Sequence, residues 1–134
     1  MWPSLFLLDT ATTQSYSQSN QTHRIFEMKA AVYYEGGTPD VLKYEDVEDP
    51  TVGPRDVLVE VHAVSIEGGD VLARGFGPAG PAPYCGGYLA AGVIVEIGDA
   101  VTDRFVGQRV TTADNGGSHA SLRSVNSRSA WPIP

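Results

Sequence analysis

Cysteine is nearly absent from this chain of 134 residues, and its scarcity excludes two kinds of structure. The only thiol is Cys85, so the chain cannot form an internal disulfide or a zinc site of four thiolates. Long apolar runs are missing too: residues 5–8 are too few for a membrane helix or a signal peptide, and no basic segment precedes them. These features are compatible with a reducing compartment, and we expect the protein in the cytoplasm.

Basic residues are also in short supply. Nine Lys and Arg stand against 16 Asp and Glu, which gives a formal net charge of -7 at pH 7. Such a protein is repelled as a whole by a phosphate backbone and by an anionic bilayer. We therefore expect neither nucleic acid nor a membrane as a partner. The length allows one ordinary domain.

The first 27 residues contain little that could form a core. From Thr10 to Thr22 nearly every side chain is Ser, Thr, Gln or Asn, which cannot bury enough apolar surface to offset the ordering entropy. We predict a disordered extension over residues 1–27 and one folded domain over residues 28–134.

Six short segments with apolar and β-branched residues, separated by turn signals, are typical of β-strands. In order they are "MKAAVYYEGG", "TPDVLKYEDVEDP", "GPRDVLVEVHAVSI", "AAGVIVEIG", "GQRVTTA" and "SHASLRSVNS". The second is acidic and closed by Pro50, which predicts an edge strand. Between the third and fourth lie at most two turns of helix over residues 69–74, and a Pro/Gly loop, "FGPAGPAPYCGG". The pattern predicts a mainly β domain, either a small barrel or a sandwich.

The third segment has the strongest strand pattern. Alternation places one set of side chains on the face that should be buried: Val57, Val59, Val61 and Ala63. Glu60 and His62 lie on the opposite face, so we predict a half-buried strand.

The stretch "PYCGGYLAAGVIVEIG" allows several interpretations. A phosphate-binding glycine loop must lead into a helix N-terminus, whereas this one leads into a β-branched strand. A reactive Cys85 needs a nearby base, yet His23, His62 and His119 are all distant in sequence. Metal-ligand spacing is lacking as well. Close packing of backbones is favoured, at Gly86, Gly87, Ala90, Ala91 and Gly92.

Taken together, "MKAAVYYEGGTPDVLKYEDVEDP", "GPRDVLVEVHAVSIEGGD", "GGYLAAGVIVEIGDAVTDRFVGQRV" and "GSHASLRSV" resemble the N-terminal, GroES-like catalytic domain of medium-chain dehydrogenases/reductases. The resemblance covers residues 28–134 and looks greatest for the zinc-independent NADPH:quinone oxidoreductase branch. It implies a partly open β-barrel with one or two short helices.

The resemblance also bears on metals. Zinc alcohol dehydrogenases of this family carry a cysteine ligand at the position of Glu67 and a Gly-His-Glu sequence where this chain has Gly87-Tyr88-Leu89. Tyr88 and Leu89 cannot replace that histidine, and the cysteine-rich loop of the structural zinc has no counterpart. We therefore expect no zinc.

In the quinone reductases the position of Glu67 is commonly an asparagine near the nicotinamide, so Glu67 becomes the first predicted cleft residue by resemblance. An ionised carboxylate accepts hydrogen bonds without donating them, unlike an amide. Asp70 and Arg74 match positions in the same segment, and Tyr88 would form an aromatic wall. For Asp70, capping of the short helix and a role in the cleft both remain open.

The function implied by the resemblance is hydride transfer from NADPH to a small acceptor, a quinone or an enone. Family members continue into a doubly wound nucleotide-binding domain, for which this chain shows no glycine fingerprint. We expect the chain alone to be inactive, and to work with that domain in a longer protein or on a separate chain, or as a homodimer. Two alternatives are a non-catalytic binding module and a truncation product without a stable role.

Overall fold

The computed structural model describes residues 27–134, so the predicted disorder of residues 1–27 falls almost entirely outside them. Within this range the chain forms eight strands and one α-helix. The elements are β1 (Glu27–Tyr33), β2 (Lys43–Glu48), β3 (Asp56–Ser65), α1 (Gly68–Phe76), β4 (Tyr84–Cys85), β5 (Leu89–Ile97), β6 (Arg109–Ala113), β7 (Leu122–Asn126) and β8 (Ala130–Pro132). Single turns of 3-10 helix occupy Pro39–Val41 and Ser127–Ser129.

The strands form two open antiparallel sheets, which confirms the mainly β class. One has the order β2-β1-β4 and the other the order β7-β3-β5-β6-β8. Residues 118–121, which we call the bridging segment, connect them through the backbone. The amide of Ala31 in β1 donates to the His119 carbonyl, and the amide of Val61 in β3 donates to the Ser121 carbonyl. The bridging segment therefore belongs to both sheets.

The core lies on one face of the five-stranded sheet. Every strand of that sheet contributes to one apolar cluster: Val57, Val59, Ile94, Val110, Val125 and Ala130, with Val101 from the following turn. Burial of such β-branched side chains is the main source of stability in a domain of this kind.

The alternation predicted for β3 holds only at the start of the strand. Val57 and Val59 are buried as expected, but Leu58 is buried as well, and Ala63 is exposed. The pairing of β3 with β5 shifts register between Val61 and Ala63, and β7 pairs with β3 only as far as Glu60. The placement of Ala63 on a buried face was therefore wrong, because the bulge interrupts the two-residue period and the strand end has one neighbour fewer.

The predicted edge strand is confirmed. β2 pairs only with β1 and exposes most of its residues, and Lys29 of β1 forms an ion pair with Asp46 across the two strands. The Pro/Gly loop contains one element that the sequence did not indicate, the short β4, which pairs with the end of β1.

Close backbone packing in the glycine-rich stretch is also confirmed. The Cα of Gly92 lies against the Glu60 carbonyl of β3, where an added Cβ would overlap the oxygen. Gly87 has a φ of 94°, and its missing side chain leaves room for Ser118 and His119. The backbone crossing at Gly92 and the side-chain packing at Gly87 therefore both depend on glycine. No helix within residues 27–134 is long and apolar enough to cross a membrane.

Candidate functional site

An open cleft of about 780 Å³ lies between the three-stranded sheet, the end of β3, helix α1 and the bridging segment. Its aliphatic lining consists of Leu42, Val61, Val64, Ile66 and Val71. Four tyrosines add flat aromatic surface: Tyr33, Tyr44, Tyr84 and Tyr88. The polar side chains are few: Lys29, Asp70, Arg74, Asn115 and the serines and histidine of the bridging segment. A mainly apolar cleft with few polar groups is typical of a small-molecule site.

Helix α1 begins beside the cleft with a reciprocal pair of carboxylates. The Glu67 carboxylate accepts from the Asp70 amide, and the Asp70 carboxylate accepts from the Glu67 amide at 2.9 Å. Both acids thus satisfy free amides of the first turn. Asp70 is buried and lines the cleft, while Glu67 is not among the lining residues. Of the two roles left open for Asp70, capping is observed.

Arg74 holds the other end of the helix. Its Nε donates to the Gly37 carbonyl at 3.2 Å, and the Gly37 amide donates back to the Arg74 carbonyl at 3.1 Å. These two bonds tie α1 to the turn that follows β1. Arg74 lines the cleft together with Asp70, so the structure brings these two predicted residues together.

Tyr88 lines the cleft as the resemblance implied, and its ring packs against the start of α1. An added Cβ at Gly69 would lie 3.0 Å from Tyr88 Cε2, so any larger residue there would require the ring to shift. The Tyr88 carbonyl accepts from the Asp114 amide at 3.1 Å and from Arg123 Nη1 at 3.0 Å. The backbone under the tyrosine is therefore held from two sides.

Arg123 is a residue that the sequence did not single out. It is only 2% exposed, although it lies in a strand near the cleft. Its guanidinium donates to the carbonyls of Tyr88, Asp114 and Gly116 and to Thr112 Oγ1, at distances of 2.9 to 3.2 Å. Burial lowers the pKa of Arg123, and the nearby Asp114 opposes that shift. The fork geometry of guanidinium allows this one side chain to bind three backbone carbonyls, two of which belong to residues that line the cleft.

The phenols of the cleft lie close to one another. The rings of Tyr33 and Tyr84 meet edge to face with centroids 5.4 Å apart. Burial raises the pKa of Tyr33, and its neighbours Tyr84 and Tyr88 raise it further. Burial likewise raises the pKa of the Cys85 thiol. The thiol is therefore held protonated, which opposes a role as nucleophile.

Residues 27–134 contain no group of three or more His, Cys, Asp or Glu side chains arranged to hold a metal ion. At the two positions that carry ligands in the zinc enzymes, Glu67 caps α1 and Tyr88 presents a ring to Gly69. The donor set at this cleft does not fit a zinc site, because zinc requires three or four nitrogen, sulfur or oxygen ligands.

The described residues thus form a two-sheet β domain with an apolar, tyrosine-lined cleft. Residues 53–134 match the alcohol dehydrogenase GroES-like domain, and the chain belongs to this family. The family recognised from the sequence is thereby confirmed.

The chain is similar to quinone oxidoreductases and other reductases. It is 34% identical over 113 residues to the quinone oxidoreductase of Rattus norvegicus, covering 80% of this chain and 34% of the relative. It is 40% identical over 88 residues to the chloroplastic NADPH-dependent alkenal/one oxidoreductase of Arabidopsis thaliana, covering 63% and 23%. The structure of the Pseudomonas syringae pv. Tomato DC3000 quinone oxidoreductase matches with a TM-score of 0.76 at 29% identity, over 80% of this chain and 34% of that one. The chain thus spans about a quarter to a third of these relatives.

Proposed function

We propose that this chain is the acceptor-binding domain of a zinc-independent, NADPH-dependent oxidoreductase that reduces a quinone or an activated carbon–carbon double bond. The observation that carries the proposal is the apolar, tyrosine-lined cleft in a chain similar to quinone and alkenal reductases. NADPH supplies the hydride when it is bound.

The cleft suits an acceptor that is flat and mostly apolar. Tyr33, Tyr84 and Tyr88 offer ring faces and edges to a planar body, and aliphatic side chains such as Val64 and Ile66 cover the rest. Covering the acceptor excludes water, which favours hydride transfer over side reactions. Such chemistry needs no nucleophile, in keeping with a Cys85 thiol whose pKa is raised.

A zinc ion has no role in this proposal. The carboxylate at Glu67 already accepts a hydrogen bond from the first turn of α1, and a tyrosine follows Gly87 in place of the zinc-binding histidine of related enzymes. In a metal-free site the acceptor oxygen must be stabilised by hydrogen-bond donors of the protein or the cofactor.

The cofactor's pyrophosphate does not fit the described residues. Helix α1 is the only α-helix within residues 27–134, and its first turn is occupied by the carboxylates of Glu67 and Asp70. A second anion is disfavoured there, because the two carboxylates make the local charge negative and the amides of Glu67 and Asp70 are already bonded. We therefore propose that a nucleotide-binding domain outside these residues holds NADPH, and that the purified chain does not reduce acceptors alone.

The test is a fusion of this chain to the remainder of the rat quinone oxidoreductase, with the isolated chain as the matched control. NADPH oxidation in the presence of menadione is measured for both, with and without a zinc chelator. We expect turnover by the fusion, unaffected by the chelator, and none by the isolated chain. A folded fusion that binds NADPH but stays inactive would contradict the proposal and support a binding module, and turnover by the isolated chain would contradict the assignment of the cofactor site.

A further inference from the structure

Two neighbouring residues of the bridging segment bury polar atoms that have no hydrogen-bond partner in the protein. They are Ser118, whose side chain is fully buried, and His119, whose Nε2 is enclosed. Both residues line the cleft. Leaving a buried donor or acceptor unpaired costs about 1–3 kcal/mol per group, so such atoms are rare in folded domains unless they have a use.

The backbone of Ser118 and His119 is hydrogen-bonded, whereas the polar side-chain atoms Ser118 Oγ and His119 Nε2 are not. The amides of Ser118 and His119 donate to the carbonyls of Gly87 and Gly86 at 3.3 and 3.2 Å, and the His119 carbonyl accepts from Ala31 at 2.8 Å. The segment is thus held between β1 and the glycine pair. Three backbone hydrogen bonds therefore set the positions from which the two side chains project.

Gly87 brings the two atoms together. A Cβ at this position would collide with Ser118 Oγ and would lie 2.7 Å from His119 Nε2, so both atoms surround one point beside the glycine. The two atoms therefore lie close to each other. Both are enclosed in the present rotamers, so an oxygen atom can contact both only when the side chains turn towards the cleft, which breaks no hydrogen bond of either atom.

We propose that Ser118 and His119 form the oxygen-binding subsite of the cleft, which receives the carbonyl oxygen of a ligand whose apolar body lies against the tyrosines. This inference rests on the proposed function and deepens it, because it assigns the group that recognises the acceptor. The hydroxyl of Ser118 donates to the oxygen, and Nε2 of His119 donates when its proton is on that nitrogen. The Tyr33 ring lies close by, since an added Cβ at the neighbouring Gly86 would lie 3.4 Å from Tyr33 Cε1 and 3.9 Å from His119 Nδ1.

The first experiment compares two bicyclic ligands that differ by one oxygen, tetralone and the hydrocarbon tetralin, neither of which reacts with thiols. Affinity for the purified chain is measured by titration in nuclear magnetic resonance. We expect tetralone to bind more tightly, and Ser118→Ala to weaken tetralone by about tenfold while leaving tetralin unchanged, which is the effect of one lost hydrogen bond.

Ser121→Ala is the matched control. Ser121 also lines the cleft, but its hydroxyl accepts from the Lys29 amide at 3.1 Å. Loss of this bond should lower the thermal midpoint of Ser121→Ala, whereas Ser118→Ala should unfold at the wild-type temperature or above, because an unpaired hydroxyl has been removed. If Ser118 had only a structural role, Ser118→Ala would instead lower the thermal midpoint.

Two variants at His119 test whether the polar group must lie at the position of Nε2. His119→Asn places its amide near Nδ1 and offers nothing at Nε2, while His119→Gln restores a donor near Nε2. We expect the asparagine variant to lose the preference for tetralone and the glutamine variant to retain most of it.

Several results would overturn the subsite: equal binding of tetralone and tetralin by the unaltered chain, no binding of either, or an unchanged ratio in folded Ser118→Ala. The proposed function fails separately, through the inactive fusion described above. If the purified chain prefers tetralone but the fusion is inactive, the subsite stands and the proposed reductase function fails. If the fusion is active but the chain shows no preference for tetralone, the function stands and the subsite fails.

Discussion

The interior of the five-stranded sheet and the lining of the cleft use the same apolar residue types in opposite surroundings. Ile94 in the sheet is 0% exposed, whereas Ile66 at the cleft is 71% exposed. The core cluster around Ile94 is entirely apolar, while the cleft buries unpaired polar atoms of Asp70, Ser118 and His119. Both features of the cleft cost stability: exposed aliphatic surface and unsatisfied polar groups.

The two regions use their apolar surface differently. The sheet gains stability from surface that is already buried, and the cleft keeps surface and hydrogen-bond capacity available for a ligand. Substitutions in the sheet should therefore change the free energy of unfolding, and those in the cleft should change binding.

The largest effect should come from Gly92→Ala. The new Cβ would overlap the Glu60 carbonyl and would lie 3.0 Å from Val59 Cγ1, and the carbonyl cannot move aside because it is part of the β3 backbone. We expect a loss of at least about 4 kcal/mol in the free energy of unfolding, measured by urea denaturation. Gly75→Ala, in helix α1 with no heavy atom within 4 Å of the new Cβ, should instead gain about 0.5 kcal/mol. Similar values for the two variants would mean that the crossing of β3 and β5 is not tight.

The paired substitutions Ile94→Ala and Ile66→Ala test the comparison directly. Loss of the buried side chain should cost about 3 kcal/mol, because it removes apolar contacts and leaves a cavity. Ile66→Ala, at the exposed site, should change the free energy of unfolding by less than about 0.5 kcal/mol but should weaken tetralone binding. A large loss of stability at Ile66 would show that the cleft wall belongs to the core.

Arg123→Lys addresses the residue that connects the two regions. A lysine ammonium cannot reach Tyr88, Thr112 and Gly116 together, so at least one buried acceptor loses its donor. We expect a loss of about 2 kcal/mol in denaturation. The NMR signals of Tyr88 should shift as well. Arg109→Lys, at an exposed position of β6, should stay within about 0.5 kcal/mol of the parent chain.

The smallest effect concerns alkaline pH and Cys85. Because burial raises the pKa of this thiol above 9.0, the folded chain holds the proton more tightly than the unfolded chain. The contribution to stability is complete below the unfolded pKa and is lost as pH rises through the folded one. Between neutral pH and about pH 10, the free energy of unfolding measured by denaturation should fall more steeply for the parent chain than for Cys85→Ala. Parallel profiles would contradict a buried, protonated thiol.

Much of the fold was accessible from sequence because strands leave local patterns. The runs that became β1, β3, β5, β6 and β7 carry β-branched residues between turn signals, and the acidic run became the edge strand β2. The two shortest strands were not predicted. β4 has only two residues and β8 has three, too few for a period to be visible.

The site was less accessible, because it depends on distant contacts. Arg123 is 35 residues from Tyr88 in sequence, and no local sequence pattern predicts that a buried guanidinium will bind carbonyls. Ser118 and His119 become notable only once Gly87 is seen beside them. Glu67 was chosen by resemblance, whereas its hydrogen bond to the first turn of α1 follows from the helix it precedes. A Glu followed three residues later by Asp before a short helix was the available signal.

The bridging segment has a consequence for motion as well as for shape. Its carbonyls accept the amides of Ala31 and Val61, and its Ser121 amide donates to the Lys29 carbonyl, so separation of the two sheets exposes these three amides together. The same segment lines the cleft, and a ligand seated there binds only while the segment is in place. Ligand occupancy and sheet separation are therefore linked equilibria. Hydrogen exchange at these amides, which belong to one strand of each sheet and to the segment between them, should slow in unison as the cleft fills.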